Sequence, residues 1–277
     1  MGLSSNILWH QTNKKGFYEI LRSKKLLYSY SSEKIVPAFG FRPIAFPMIS
    51  VSDYPISEIS HNQWAYGNFS IGFRQEWGVK VGFSPVCYCS YGSRHLNQLN
   101  KLIVEAINTN SQKLLGLSMF LFAHMKFVHA PLETKTKEFK DYRFYDEREW
   151  RVVPYITETD SAEVMPFLTL EGYNEYKNAN GNSNLKIGVD FQYSDIHYII
   201  VETEEDIKTT KDIVGDRVHI FTIDEIIKDI EGINHHEEIF PSQKQLDYEA
   251  AQRHIERIRK MAKDTLEKRR LGKKSGD

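Results

Sequence analysis

Residues 142–154 read YRFYDEREWRVVP. The aromatic residues exclude an ordinary charged surface helix. Glu147, Arg148, Glu149 and Arg151 exclude a plain buried strand. WRVV is nevertheless a strand signal. Side chains two apart on a strand share a face. Read as one strand, the stretch sends Tyr145, Glu147, Glu149 and Arg151 one way and Phe144, Asp146, Arg148, Trp150 and Val152 the other. Trp150 and Val152 suit a core, which leaves the carboxylate face to line a groove or meet solvent. Two carboxylates with Cα atoms roughly 6.5–7 Å apart can stabilise a cation or an oxocarbenium ion. They can also form a ladder that Arg151 and a neighbouring strand neutralise. The strand taken alone favours the ladder.

The rest of the chain must supply a core to hold such a strand. Its 277 residues allow one large domain or two small ones, and 41% of them are hydrophobic, enough for that core. The 36 basic and 37 acidic residues nearly cancel, so no global charge pulls the chain toward nucleic acid or a membrane. Cys87 and Cys89 lie one residue apart in a strand-like run. A disulfide there would be strained, and the pair reads as two small buried thiols in a reducing cytosol. His235 and His236 are adjacent, with no spaced Cys or carboxylate set beside them, so no metal site is expected. The most apolar run, Leu114 to Val128, is shorter than a membrane span and contains His124 and Lys126; it reads as a core helix. The N-terminus lacks the charge and apolar run of a signal peptide. These features predict a cytoplasmic protein.

Hydrophobic spacing predicts helices over 16–24, over 95–109 and from Lys113 to about His129. Strands are expected at PMISVSD, FSIGF, PVCYC, HYIIVET and RVHIFTID, with EWGVKVGF as a turn and Pro55 to Gln63 as a short helix. The segment from Thr157 to Phe191 reads as alternating loop and strand. EEDIKTTKDIVG should be a helix ended by Gly215. DEIIKDI should be another, capped by Asp224. Together these give one α+β domain over 1–240, with the motifs in about the first 160 residues. From about Pro241 the composition changes. Leu246, Ala250, Ile255, Ile258, Ala262 and Leu266 form an apolar stripe in a segment where bases outnumber acids. Residues 241–277 therefore read as a terminal amphipathic helix and basic tail. That helix would dock on the domain or a partner protein, or serve as a nucleic-acid arm.

Two further places bear on the carboxylates. LWHQT puts His10 and Thr12 at the end of the first strand. WAYGNFSIGF puts Trp64 and Tyr66 just ahead of a later one. A histidine, then an aromatic before a strand, then a glutamate on a later strand is similar to the signature order of ADP-ribosyltransferases. The chemistry suits these residue types. Breaking the nicotinamide–ribose bond of NAD builds positive charge on the ribose, which a carboxylate stabilises. An aromatic ring can stack on the nicotinamide. Each residue also has a plainer role: His10 as a buried strand-end histidine, Tyr66 in packing, Glu147 as an arginine's ion-pair partner.

The blocks NILWHQT, PMISVSDYPIS, WAYGNFSIGFRQEWGVKVGFSPVCY and YRFYDEREWRVVP occur in an order that resembles the AbiGi family of bacterial abortive-infection proteins, labelled as antitoxins of two-protein systems. The resemblance implies a split, bent β-sheet with flanking helices, ADP-ribosyltransferase-like in layout, around an NAD cleft. It assigns the first-motif role to His10, beside Thr12, and the second to Tyr66 or Trp64. Glu149 would be the catalytic glutamate and Glu147 its helper. Arg151 would position a phosphate or hold Glu149. NAD would be substrate, and no metal would be needed. The chain departs from transferase patterns at Gln11, between His10 and Thr12, and in lacking a Ser-Thr-Ser middle motif. Two functions follow. One is an NAD-using enzyme that modifies a macromolecule in phage defence. The other is a non-catalytic antitoxin that neutralises a partner toxin, with the terminal helix as its contact.

Overall fold

The structure, a computed structural model, describes residues 6–56, 67–133, 138–154, 164–181 and 185–226. The chain runs β1 (Ile7–Thr12), α1 (Lys14–Ser23), β2 (Lys25–Leu27), β3 (Ser29–Glu33), β4 (Ile44–Ser52), β5 (Phe69–Arg74), α2 (Gln75–Lys80), β6 (Ser84–Pro85) and β7 (Cys87–Cys89). It continues through α3 (Arg94–Asn108), α4 (Gln112–Ala123), β8 (Met125–Phe127), β9 (His129–Glu133), β10 (Glu138–Arg143) and β11 (Glu149–Val152). It then forms α5 (Leu170–Asn180), β12 (Gly188–Asp190), β13 (Ile196–Val201), α6 (Glu204–Val214) and β14 (His219–Thr222). Helix starts are set by side-chain caps: Asn13, Ser93, Ser111, Thr169 and Thr203 each accept a backbone N–H of the first turn.

The central sheet has the order β14-β13-β5-β1-β4-β11-β6, and β3 pairs on β4 as well. β13 and β14 are parallel; the other pairs are antiparallel. β4 shows how the sheet divides the protein. Its odd residues Ala45, Ile49 and Val51 join one core with Phe17 and Leu21 of α1 and Val214 of α6. Its even residues Ile44, Phe46 and Met48 join a second core with Ile103 of α3 and Met119 and Phe122 of α4. The two-residue period of the strand thus sorts its side chains between two layers of helix.

The α+β class agrees with the sequence reading, and several elements differ from it. The apolar helix stops at Ala123; Met125–Phe127 becomes β8, pairing in parallel with β7. EWGVKVGF holds the end of α2 rather than a turn alone. The stretch expected to alternate loop and strand contains α5. The last described helical turn is capped by Thr222, whose hydroxyl accepts the Glu225 N–H while Glu225 reaches back to the Thr222 N–H. Asp224 is therefore inside that turn and is not its cap. Most of the helix expected from Pro55 to Gln63, and all of 241–277, lie outside the described residues. Among the described residues no helix is long and apolar enough to cross a membrane. Both cysteines are free, and of the two thiols expected to be buried Cys89 is and Cys87 is exposed.

A buried ion-pair chain beside an open groove

The stretch 142–154 is not one strand. β10 ends at Arg143, Phe144–Glu147 forms a turn of 3-10 helix, and β11 begins at Glu149. The hinge is Arg148, whose φ of 43° lies in the left-handed region. Its N–H bonds the Tyr145 carbonyl and its carbonyl accepts the Asp53 N–H. This correction matters for the carboxylates. Glu147 and Glu149 do not share a face through strand alternation. They meet because the chain reverses at Arg148.

Both are buried rather than facing solvent, at 3% and 6% exposure. The cause is Lys126, which β8 delivers from the opposite side. Its ammonium donates to Glu147 Oε2 and Glu149 Oε2, each at 2.8 Å, and stacks over the Phe144 ring at 4.5 Å. Arg151 holds Glu149 by two further bonds, Nε to Oε1 at 2.7 Å and Nη2 to Oε2 at 2.9 Å. The same guanidinium pairs with Glu33 of β3. It also donates to the Ala123 carbonyl at 2.8 Å, at the end of α4, where a cation complements the exposed helix carbonyls. Tyr88 of β7 accepts the Glu149 N–H at 2.8 Å.

The result is a chain of alternating charge: Glu33, Arg151, Glu149, Lys126, Glu147. Burial alone would raise the Glu149 carboxyl, but Arg151 and Lys126 outweigh it and hold it well below the usual carboxylate range. Burial alone would lower the Lys126 ammonium; Glu149 and Glu147 outweigh it and hold it well above its ordinary value. Burial and then Glu147 push the Tyr142 hydroxyl up to about 12. Such an array is stable only when complete, because Arg151, Glu149, Lys126 and Glu147 are all buried.

One end of the chain opens on a groove of about 640 Å³, in the size range of ligand sites. Ser31 to Ile35 form one wall and Ala130 to Leu132 another, with Lys126 and Phe144 between them. Phe41, Tyr91 and Phe127 make an aromatic cluster there, with ring centroids 5.1–6.3 Å apart.

The other sequence-derived candidates fall elsewhere. His10 pairs across the sheet with Ile71, and Thr12 with Phe69, two residues of the first core. Glu149 and Arg151 pair with Ser52 and Ser50, on the even face of β4 that carries the second core. His10 and Thr12 therefore lie on one face of the sheet and the carboxylates on the other. His10 Nδ1 is 3.2 Å from the Ser50 carbonyl, and burial lowers the imidazole despite that bond. Thr12 sits under the start of α1, where its hydroxyl would be 2.8 Å from a Cβ added to Gly16. Trp64 and Tyr66 lie outside the described residues.

Sequence reasoning missed Lys126, Glu33 and Tyr88. A signal existed for Lys126. A lysine inside the run LLGLSMFLFAHMKFV needs a buried counter-charge, and the acid-bearing stretch YDEREWR follows it in the chain. Glu33 had no such signal. Among the described residues no group of three His, Cys, Asp or Glu is placed to hold a metal.

A family model described as "Putative abortive phage resistance protein AbiGi, antitoxin" matches residues 18–202. The match begins after NILWHQT, so it does not include His10 and Thr12, and it extends beyond the first 160 residues through α5 and β13. It leaves out the terminal segment from 241. No curated protein matches, and no solved structure matches.

Proposed function

The chain belongs to the AbiGi family, and from that membership we propose that it acts in abortive phage resistance as an antitoxin, a non-catalytic protein that binds and neutralises a partner toxin. The family match carries this reading. The match covers residues 18–202 and not the basic segment 241–277, which favours a contact within 18–202.

The state of Glu149 supports the same reading. A catalytic carboxylate for NAD cleavage must face the ribose as positive charge develops. Both oxygens of Glu149 are occupied, one by Arg151 and the other by Arg151 and Lys126. Its depressed pKa marks a carboxylate already satisfied by cations. His10 and Thr12, which would hold NAD beside it, lie across the sheet.

The test is co-expression. The chain is placed under one inducible promoter and the product of each flanking reading frame under another, with growth and phage plating as readouts. Rescue of a toxic neighbour by the wild type, retained in a Glu149→Gln variant shown to fold, is the expected result. NAD turnover by the purified wild type that disappears in that variant would overturn the reading in favour of a transferase or glycohydrolase.

A further inference from the structure

Among the described residues, β3 is an edge strand with a gap in its cover. In an antiparallel ladder, directly opposed residues alternate between those that bond each other and those whose backbone groups point away. Ser32 opposes Ala45 and Tyr30 opposes Pro47. Ala45 exchanges both of its backbone bonds with Leu168, on the far side of β4, and Pro47 has no N–H to give. Tyr30 and Ser32 thus direct their backbone groups outward, away from β4. So does Tyr28, one step earlier. The outward groups of Tyr28 bond Leu185 and Ile187. The Tyr30 carbonyl accepts the Tyr173 hydroxyl at 3.4 Å. At Ser32 no described residue takes up either group, and there the strand borders the groove.

The groove offers more than an edge. Phe41 adopts a φ of 56°, a costly conformation for a bulky residue, and it sets the ring against Tyr91 and Phe127. Tyr91 is 76% exposed despite these contacts. Aromatic anchors of this kind dominate binding energy at interfaces. Of the charged groups lining the groove, Glu33 and Lys126 are already paired within the ion-pair chain. Lys34, exposed at the lip, has no carboxylate within ion-pair distance among the described residues.

We propose that this groove receives an extended segment of a partner protein, which adds as a strand to β3 at Ser32. Its chemistry follows from the walls: an aromatic or large apolar side chain for the Phe41–Tyr91–Phe127 cluster and a carboxylate for Lys34. Strand addition supplies the backbone bonds that Ser32 lacks, and the side-chain sites supply selectivity. About four residues lie alongside Ser31–Lys34 at the usual strand rise. In naming the toxin as the source of the segment, this inference rests on the antitoxin reading; the groove's own chemistry does not.

Two measurements separate the inference from that reading. The first is selection of a displayed library of random heptapeptides on the full chain, compared with Ser32→Pro, Tyr91→Ala and Lys34→Glu variants. Ser32→Pro removes the outward N–H. The other two alter surface side chains, so they keep the test valid if the proline variant does not fold. The expected result is enrichment of peptides carrying an aromatic and an acid, with affinity falling at least tenfold in Tyr91→Ala. Lys34→Glu should shift the selected acid to a base. No enrichment, or equal enrichment on all folded variants, overturns the proposal. The second measurement is the growth rescue described above. Rescue by wild type and equally by folded Tyr91→Ala and Lys34→Glu overturns the groove and leaves the antitoxin function standing. Failure of rescue by wild type removes the antitoxin reading, while the peptide selection still decides the groove.

Discussion

Arg151 and Glu149 sit two residues apart on one strand and bind each other through two parallel hydrogen bonds, at 2.7 and 2.9 Å. Neither has appreciable contact with water, with Arg151 at 1% exposure. Planar guanidinium–carboxylate pairing of this kind is both strong and orientationally exact. It fixes the floor from which β11 meets β3, β8 and α4.

Arg151→Met should therefore destabilise the fold by about 3–5 kcal/mol, since it leaves two carboxylates, Glu33 and Glu149, facing each other without a cation between them. Lys126→Met should cost a comparable amount. Replacing both cations and all three acids, Glu33, Glu147 and Glu149, at once with apolar residues of similar volume should cost much less than the single changes predict. Urea unfolding of the single and combined variants measures this. Additive losses would contradict a mutually dependent network.

The network also sets the pH response. Glu149 is held below its unfolded value, so its stabilisation is present above that value, about 4.3, and is lost as pH falls through the folded pKa. His10 and His124 are lowered by burial. Their neutral forms stabilise the fold fully above about 6.5, and that contribution is lost as pH falls. Lys126 is raised, so its contribution persists to about 10.4 and is lost only above it. Melting temperature should be level between about pH 7 and 9, decline mildly below about 6.5 and fall steeply below about 4.3. In Glu149→Gln the melting temperature at neutral pH should be lower and the steep acid limb shallower. An unchanged acid limb would mean that this carboxylate does not govern acid unfolding.

Gly188 of β12 tests a different constraint. A Cβ there would lie 2.1 Å from the Leu26 carbonyl oxygen, a backbone atom that cannot move aside alone. β12 pairs only with β2 among the described residues, and the residues just before it, Leu185 and Ile187, bond the Tyr28 backbone. Gly188→Ala should cost about 1–3 kcal/mol, as overpacking does. Hydrogen exchange at Leu26 and Val189 should report the loss locally. Unchanged protection at both would show that the strand pair accommodates the methyl group.

Part of this architecture was legible in the sequence. FSIGF and HYIIVET carry the period and the β-branched content of strands, and they become β5 and β13. Gly215, with φ of 74°, ends α6 where the sequence placed the stop. The carboxylate cluster was legible as residue types, and the arginine partner with it. Its geometry was not, because the left-handed turn at Arg148 carries no glycine to announce it. Nor could the sequence show that His10 and Glu149 fall on opposite faces. That follows from register: Ser52 of β4 lies opposite both Trp9 and Glu149, so His10, next to Trp9, faces the other way, and register between distant strands is set by long-range pairing rather than by local pattern. The end of α4 was missed for a similar reason: MKF is drawn into a strand by β7 and by the carboxylates waiting for Lys126.

A second buried carboxylate gives the last prediction. Asp206, in the first turn of α6, is 2% exposed. It accepts the Tyr18 hydroxyl at 3.0 Å and the Thr203 hydroxyl at 2.7 Å, and it pairs with Lys14 at 2.7 Å. Tyr18 and Lys14 belong to α1, so this one carboxylate ties α1 to α6. The three partners are not equal. The Lys14 side chain is 60% exposed, so water competes for it and its removal should change stability little. Tyr18 is buried, so water does not compete for its hydroxyl. Asp206→Ala should cost about 1.5–3 kcal/mol, the range for hydrogen bonds to a charged group. Tyr18→Phe should cost less on its own, yet leave part of the Asp206 desolvation uncompensated. The coupling between Tyr18→Phe and Asp206→Ala in a double-mutant cycle should exceed that between Lys14→Met and Asp206→Ala. Equal couplings would show that the exposed ion pair, not the buried hydroxyl, joins the two helices.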